Sequence, residues 1–234
     1  MQRHVFPNIE QLSQAFANFA ATTLQNTLAH KPQATLIVPG GNTPRYYLPA
    51  LAKCALPWDR ITVTLSDERW VDVTDEQSNE HLVKQHLMNH LPADTRFIGL
   101  KTQHNDPFAA VDEIHQRLDQ LPLPLSLTVL GLGEDGHIAS LFPGMNPELL
   151  SRHHCVAVAP PIAPSLRISL SLDILANSEH IALVVIGKAK RQLLDQLNEY
   201  PDSKLPIAWL LQRTQSPVTV FETDRDRLER KVAI

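Results

Sequence analysis

The feature that most constrains this chain is a repeated alternation. Short apolar, β-branched runs each end in a polar or glycine turn, and helical periodicity usually follows. "ATLIV" at 34–38 leads through "PGGNTP" to "RYYLPALAKC", and "RITVTL" at 60–65 leads through "SDERW" to "SNEHLVKQHLMNHL". "LSLTVL" at 125–130 leads into "GLGEDGH", "IALVVIG" at 181–187 into "KAKRQLLDQLNEY", and "SPVTVF" forms a last run. Runs that are apolar on both faces belong to a sheet covered on both sides. Strands alternating with helices predict an α/β fold with an open, mainly parallel sheet flanked by helices.

The helices carry their own signals. Asn8 is placed to cap "IEQLSQAFANFAATTLQNTLAH", with Gln11 three residues on. Leu12, Phe16, Phe19, Leu24 and Leu28 then share one face at helical spacing. Ser78 and Asp106 are candidate starts for two further helices, Pro49 is expected to kink or shorten the second one, and "TDRDRLERKVA" reads as a solvated helical end. The stretch 137–142 reads as a helix opened by His137 and stopped by Pro143. With 234 residues, 43% hydrophobic, the chain can bury one sizeable core or two small ones. Its 18 prolines are scattered, which suggests ordered loops, especially in "APPIAPSLR". No repeat, low-complexity tract or linker interrupts it, so residues 1–234 are expected to form one domain.

Several function classes are disfavoured. A net charge of -4, from 21 basic and 25 acidic residues, gives no general affinity for nucleic acid or an anionic membrane. "MQRHVFPNIEQLSQAF" lacks the apolar core of a signal peptide, and no run approaches the ~18 apolar residues of a membrane span. The two cysteines, Cys54 and Cys155, have no CxxC spacing and read as reduced, buried small hydrophobes. The expectation is a cytoplasmic protein whose anionic ligands, if any, need a locally basic pocket.

Three polar turns stand at apparent strand ends, where open parallel sheets bind ligands. In "GGNTP" (40–44), glycines permit close backbone approach and a helix start offers free N–H groups, which suits a phosphate; a plain tight turn is the alternative. In "SDERW" (66–70), Arg69 can contact an anion while Asp67 and Glu68 orient partners, or all three can be a solvated strand end. In "GEDGH" (133–137), His137 is a candidate general base, with Asp135 placed to orient it or raise its basicity. His153 and His154 have no such setting and read as surface residues. Arg167 and Lys190 are further candidates at a strand start and a helix start; Lys188 and Arg191 compete with Lys190 on spacing alone. No histidine pair has metal-ligand spacing such as HExxH, so neither metal nor cofactor is expected.

Taken together these stretches resemble the 6-phosphogluconolactonase family. A GG-x-TP turn is met by Gly40, Gly41, Thr43 and Pro44. A DER signature followed by Ser-Asn is met by Asp67, Glu68, Arg69, Ser78 and Asn79. The block GxGxDGHxASLFPG is met at 131–144, and R-[IV]-[ST]-L and G-x-x-K by Arg167 and by Gly187 with Lys190. Pro39 and Asn42 depart from the small residues frequent beside the two glycines. The resemblance implies a modified Rossmann-like fold and hydrolysis of 6-phospho-D-glucono-1,5-lactone to 6-phosphogluconate in the pentose phosphate pathway. It implies His137 as the base that activates water, with Asp135 beside it. Gly40, Gly41, Asn42, Thr43, Arg69, Arg167 and Lys190 would hold the phosphate, and Asp67 would also bind substrate. The protein would be a monomer or weak homo-oligomer. The related glucosamine-6-phosphate deaminases follow DGH-x-A with an Asn-Glu-Pro run, where this chain has Ser140, Leu141, Phe142 and Pro143. A non-catalytic sugar-phosphate sensor on the same fold is the other alternative.

Overall fold

The computed structural model describes residues 1–148, 150, 153–161, 165–199 and 203–224. The centre of the proline-rich loop and nearly all of the C-terminal tail, both expected above to be ordered or helical, lie outside those residues.

The apolar runs form the strands β1 (Gln2–Val5), β2 (Ala34–Val38), β3 (Ile61–Leu65), β5 (Arg96–Ile98), β6 (Leu127–Leu130), β9 (Ile181–Ile186) and β10 (Val218–Thr223). They make one parallel seven-stranded sheet in the order β1-β10-β9-β6-β2-β3-β5. Every residue of β2, β3, β6, β9 and β10 is buried, the signature of a sheet covered on both faces. From β2 the chain steps outward to β3 and β5, returns to β6 on the other side of β2, and continues to β9 and β10. The winding direction therefore reverses between β2 and β6, the place where the carboxyl ends of parallel strands open a crevice.

The helices are α1 (Ile9–His30), α2 (Pro44–Ala52), α3 (Asn79–His86), α4 (Pro107–Leu118), α5 (Leu172–Ala176), α6 (Lys188–Glu199) and α7 (Pro206–Arg213). Asn8 caps α1 as expected, its Oδ1 accepting the Gln11 N–H at 2.9 Å. Ser78 caps α3 and Asp106 caps α4 in the same way. Leu12, Phe16 and Leu24 are fully buried against the sheet, while Phe19 only packs against the edge of the core. Pro49 lies inside α2 without ending it. Among the described residues no helix is long and apolar enough to cross a membrane.

Two readings need correction. Of the two alternatives for "DER", the solvated strand end fails: Asp67 and Glu68 are buried, and β4 (Asp67–Arg69) pairs antiparallel with β8 (Arg167–Leu170), which pairs antiparallel with β7 (Cys155–Val158), making a second, three-stranded sheet. And no helix follows His137. Leu141 N–H bonds to Ile138 O at 2.9 Å across a turn in which Ala139 takes φ +48°. This turn, rather than a helix, buries the Ile138 and Leu141 side chains completely. Cys54 and Cys155 are both free thiols, but only Cys155 is buried; Cys54 is half-buried.

Candidate active site

Four adjacent parallel strands deliver their following turns to one cleft. β2 feeds the turn 39–43, β3 feeds β4, β6 feeds the loop 131–137, and β9 feeds the start of α6. The cleft is lined by Gly40, Gly41, Asn42, Thr43, Asp67, Arg69, His137, Arg167 and Lys190, so the separate sequence candidates do converge. Asp135 is not in its lining, but holds His137 from behind.

His137 is held by its own loop. Asp135 Oδ1 lies 2.6 Å from His137 Nδ1 and also accepts the His137 backbone N–H at 3.1 Å. That bond puts the ring proton on Nδ1 and leaves Nε2 as the basic nitrogen. Partial burial pushes the Asp135 carboxyl up, but the hydrogen bonds and charge of His137 outweigh it and hold the group below its ordinary range. The Phe142 ring lies against the imidazole with centroids 5.0 Å apart, and the Arg167 guanidinium stands 6.0 Å from that same ring. Gly133 is required by proximity: a Cβ there would sit 2.1 Å from His137 Nδ1 and 2.5 Å from Asp135 Oδ1.

The opposite wall is cationic. Arg69 and Arg167 are directly paired across β4 and β8, which puts two like charges side by side. Arg69 Nη1 donates to Gln77 O at 2.7 Å rather than pairing with the acids beside it, and the Nε atoms of both arginines are buried without a hydrogen-bond partner. Burial and the neighbouring Arg69 charge press Arg167 below the usual arginine range, against the pull of Asp67 and Glu68. Asp67 Oδ2 is 4.0 Å from Arg167 Nη1. Of Lys188, Lys190 and Arg191, only Lys190 lines the cleft; Arg191 pairs with Glu222 and Asp224, and Lys188 is exposed. α2 starts with Pro44, which has no N–H, and the Tyr46 N–H bonds to Thr43 O at 3.1 Å; the Thr43 side chain makes no capping bond, so its hydroxyl stays available to an anion. Gly41, at φ +86°, turns the chain into that start.

A buried polar scaffold joins these walls; several of its members stood in sequence motifs, but their mutual bonds did not. Ser140, which lies in a turn and not in the expected helix, donates from Oγ to Asp67 Oδ2 at 2.6 Å, tying the histidine loop to β4; Ser66 Oγ holds Asp67 Oδ1 at 3.0 Å. Glu68 is fully buried and accepts from the N–H groups of Arg69, Asn79 and Glu80 and from Ser78 Oγ, all at 2.7–3.0 Å. Burial pushes its carboxyl up to about 7 against these four donors. The carboxylate sits at the start of α3, where free N–H groups and the helix dipole favour negative charge. It thereby delivers Asn79 to the cleft, with Nδ2 on Asp67 O at 2.8 Å and Oδ1 buried without a partner. The signal was present as a DER run followed by Ser-Asn, but nothing local said what Glu68 would cap.

Residues 7–220 match the family described as glucosamine-6-phosphate isomerases/6-phosphogluconolactonase. The chain belongs to that family. A 6-phosphogluconolactonase of Pseudomonas putida is 37% identical over 80% of this chain and 79% of its own, and one of Pseudomonas aeruginosa 34% over 92% of each. A crystal structure of a 6-phosphogluconolactonase from Shewanella baltica superposes with a TM-score of 0.91 at 33% identity, covering 95% of this chain and 97% of that one. Membership of the isomerase/lactonase family agrees with the parallel sheet flanked by helices and with the cleft at its switch point.

Proposed function

We propose that this cleft hydrolyses 6-phospho-D-glucono-1,5-lactone to 6-phosphogluconate, the lactone-opening step of the oxidative pentose phosphate pathway. The observation that carries this reading is the pairing of a free imidazole Nε2, oriented by Asp135, with a wall of three cations in the same cleft. The arginine pair supports a phosphate clamp: two adjacent guanidiniums with unsatisfied buried donors are stabilised by a dianion that both can hydrogen-bond. The turn 40–43, with the Thr43 hydroxyl, completes the clamp. A phosphate held there positions the lactone carbonyl at His137, so binding far from the reacting bond becomes orientation at it.

In this mechanism His137 Nε2 takes a proton from water as the water oxygen attacks the lactone carbonyl carbon. The imidazolium so formed is stabilised by Asp135. When the tetrahedral intermediate collapses, the bond from carbon to ring oxygen breaks and His137 returns the proton to that oxygen, giving the open-chain acid. Ser140 Oγ is occupied by Asp67 and is no nucleophile. Where the amino-sugar deaminase reading needs a carboxylate, Phe142 packs on the imidazole instead. The hydrolysis reading uses residues 1–234 as one domain around one continuous core, acting in the cytoplasm as a monomer or weak homo-oligomer and without nucleic acid.

Purified protein should accelerate hydrolysis of the phosphorylated lactone above its spontaneous rate, measured by proton release, and should liberate no ammonia from glucosamine 6-phosphate. Sustained, protein-dependent ammonia release with no effect on the lactone would reverse the assignment.

A further inference from the structure

We propose that His115, Asp119 and His154 form a binding site for a divalent transition-metal ion, remote from the cleft. His115 and Asp119 stand one turn apart near the C-terminal end of α4, and His154 immediately precedes β7. One ligand atom from each of the three lies within 4.8 Å of the others. His154 Nδ1 is 3.2 Å from Asp119 Oδ1, and His115 Nε2 is 4.0 Å from Asp119 Oδ2. Small side-chain movements would bring each of these atoms to the roughly 2.0–2.2 Å that a common ion needs.

No local motif marks this site, because α4 and β7 meet only in the fold. His154, expected at the surface, is half-buried, with its ring centroid 4.5 Å from that of His115. Its Nδ1 is buried and has no hydrogen-bond partner: the nearby carboxylate oxygen does not meet hydrogen-bond geometry. A buried ring nitrogen with an acid beside it but no bond to it is a donor set awaiting a ligand. The Asp119 side chain is 54% exposed, so an ion can reach it from solvent. Two imidazoles and one carboxylate suit zinc, cobalt, nickel or copper rather than magnesium or calcium, which prefer all-oxygen sites. Three protein ligands leave one position for water or for His153, whose exposed ring stands 5.5 Å from that of His115.

One rearrangement is required. The His154 backbone N–H now meets His115 Nδ1 at 3.3 Å, which places the ring proton on Nε2. Ligation through Nε2 moves that proton to Nδ1 and opens this long contact. The site joins α4 to the three-stranded sheet. It lies at the Cys155–Leu170 end of that sheet, while the cleft residue Arg167 lies at the other end, so the ion's role is structural.

The test uses full-length, tag-free protein stripped with a chelator and titrated with zinc by calorimetry, with thermal unfolding in parallel. One equivalent should bind and raise Tm by several degrees at a hundredfold excess over Kd. His154→Ala and Asp119→Asn should each weaken binding beyond the roughly 10–100-fold that loss of an outer hydrogen-bond partner costs a metal site, while metal-free Tm and lactone hydrolysis stay near wild type. His137→Ala should bind zinc like wild type, which separates this site from the His137–Asp135 pair. Cobalt should give the intense visible absorption of a four-coordinate site. Unchanged zinc affinity in both ligand variants, loss of binding only in His137→Ala, or no stoichiometric binding by the wild type would overturn the proposal.

Discussion

At the scale of single residues, the proposed chemistry depends on how His137 is held. Replacing it with alanine should lower turnover by about 10²–10⁴-fold, the usual contribution of a positioned base, with the fold intact by circular dichroism. Gly133→Ala tests the positioning without touching the base. Its new methyl would overlap both His137 Nδ1 and Asp135 Oδ1, so the pair must move apart. A displacement of about 1 Å costs on the order of 10²-fold, and kcat should fall more than KM changes. The Asp-His pair was legible in sequence because the loop that builds it is local, spanning 131–137. Ser140 and Phe142 were legible as part of a motif but not in their roles. The bond from Ser140 to Asp67 joins segments far apart in the chain, and the packing of Phe142 against His137 needs a turn where a helix was expected.

At the scale of elements, β4 and its partners explain why a charged tripeptide follows an apolar strand. Glu68 caps α3 from outside the helix, and Glu68→Ala would leave the N–H groups of Asn79 and Glu80 buried and unbonded. Each unsatisfied buried donor costs about 1–3 kcal/mol, so the variant should lose at least about 2 kcal/mol and melt several degrees lower. The substitution should also change the pH dependence of stability. In the fold the Glu68 carboxyl is raised to about 7, so the neutral form is favoured there relative to the unfolded chain. Its share of stability is complete below the ordinary glutamate range of about 4.3, falls as pH rises toward 7, and should vanish from the variant's stability profile. The parallel strands were readable from their continuous apolar runs. The short elements β1, β5, β7, α5 and α7 were not, because each is only three to eight residues long and is fixed by its neighbours rather than by a period of its own.

At the scale of the whole molecule, an acidic protein concentrates cations where its sheet changes winding direction. The reversal between β2 and β6 brings turns from four strands together, and this was readable as far as polar residues recurring at strand ends. The facing of Arg69 and Arg167 was not readable, since it depends on the register of a second sheet. Lys190 is also placed from a distance. Buried Glu222 on β10 binds Arg3 of β1 at 2.7 Å and Arg191 of α6 at 3.0 Å, anchoring the helix that carries Lys190. Removing one member of such a buried network costs about 3–5 kcal/mol, so Glu222→Ala should lower Tm markedly and, where it still folds, raise KM for the phosphorylated lactone. The central claim is that one cleft joins a base to a phosphate clamp, and kcat/KM for 6-phosphogluconolactone and unphosphorylated gluconolactone, measured in wild type, His137→Ala and Arg167→Ala, tests it most directly. A charge-assisted bond to phosphate contributes roughly 1.5–3 kcal/mol, so Arg167→Ala should lose about one to two powers of ten on the phosphorylated lactone and almost nothing on the other, while His137→Ala loses on both. Equal losses on the two lactones in Arg167→Ala, or near-normal turnover in His137→Ala, would contradict the account.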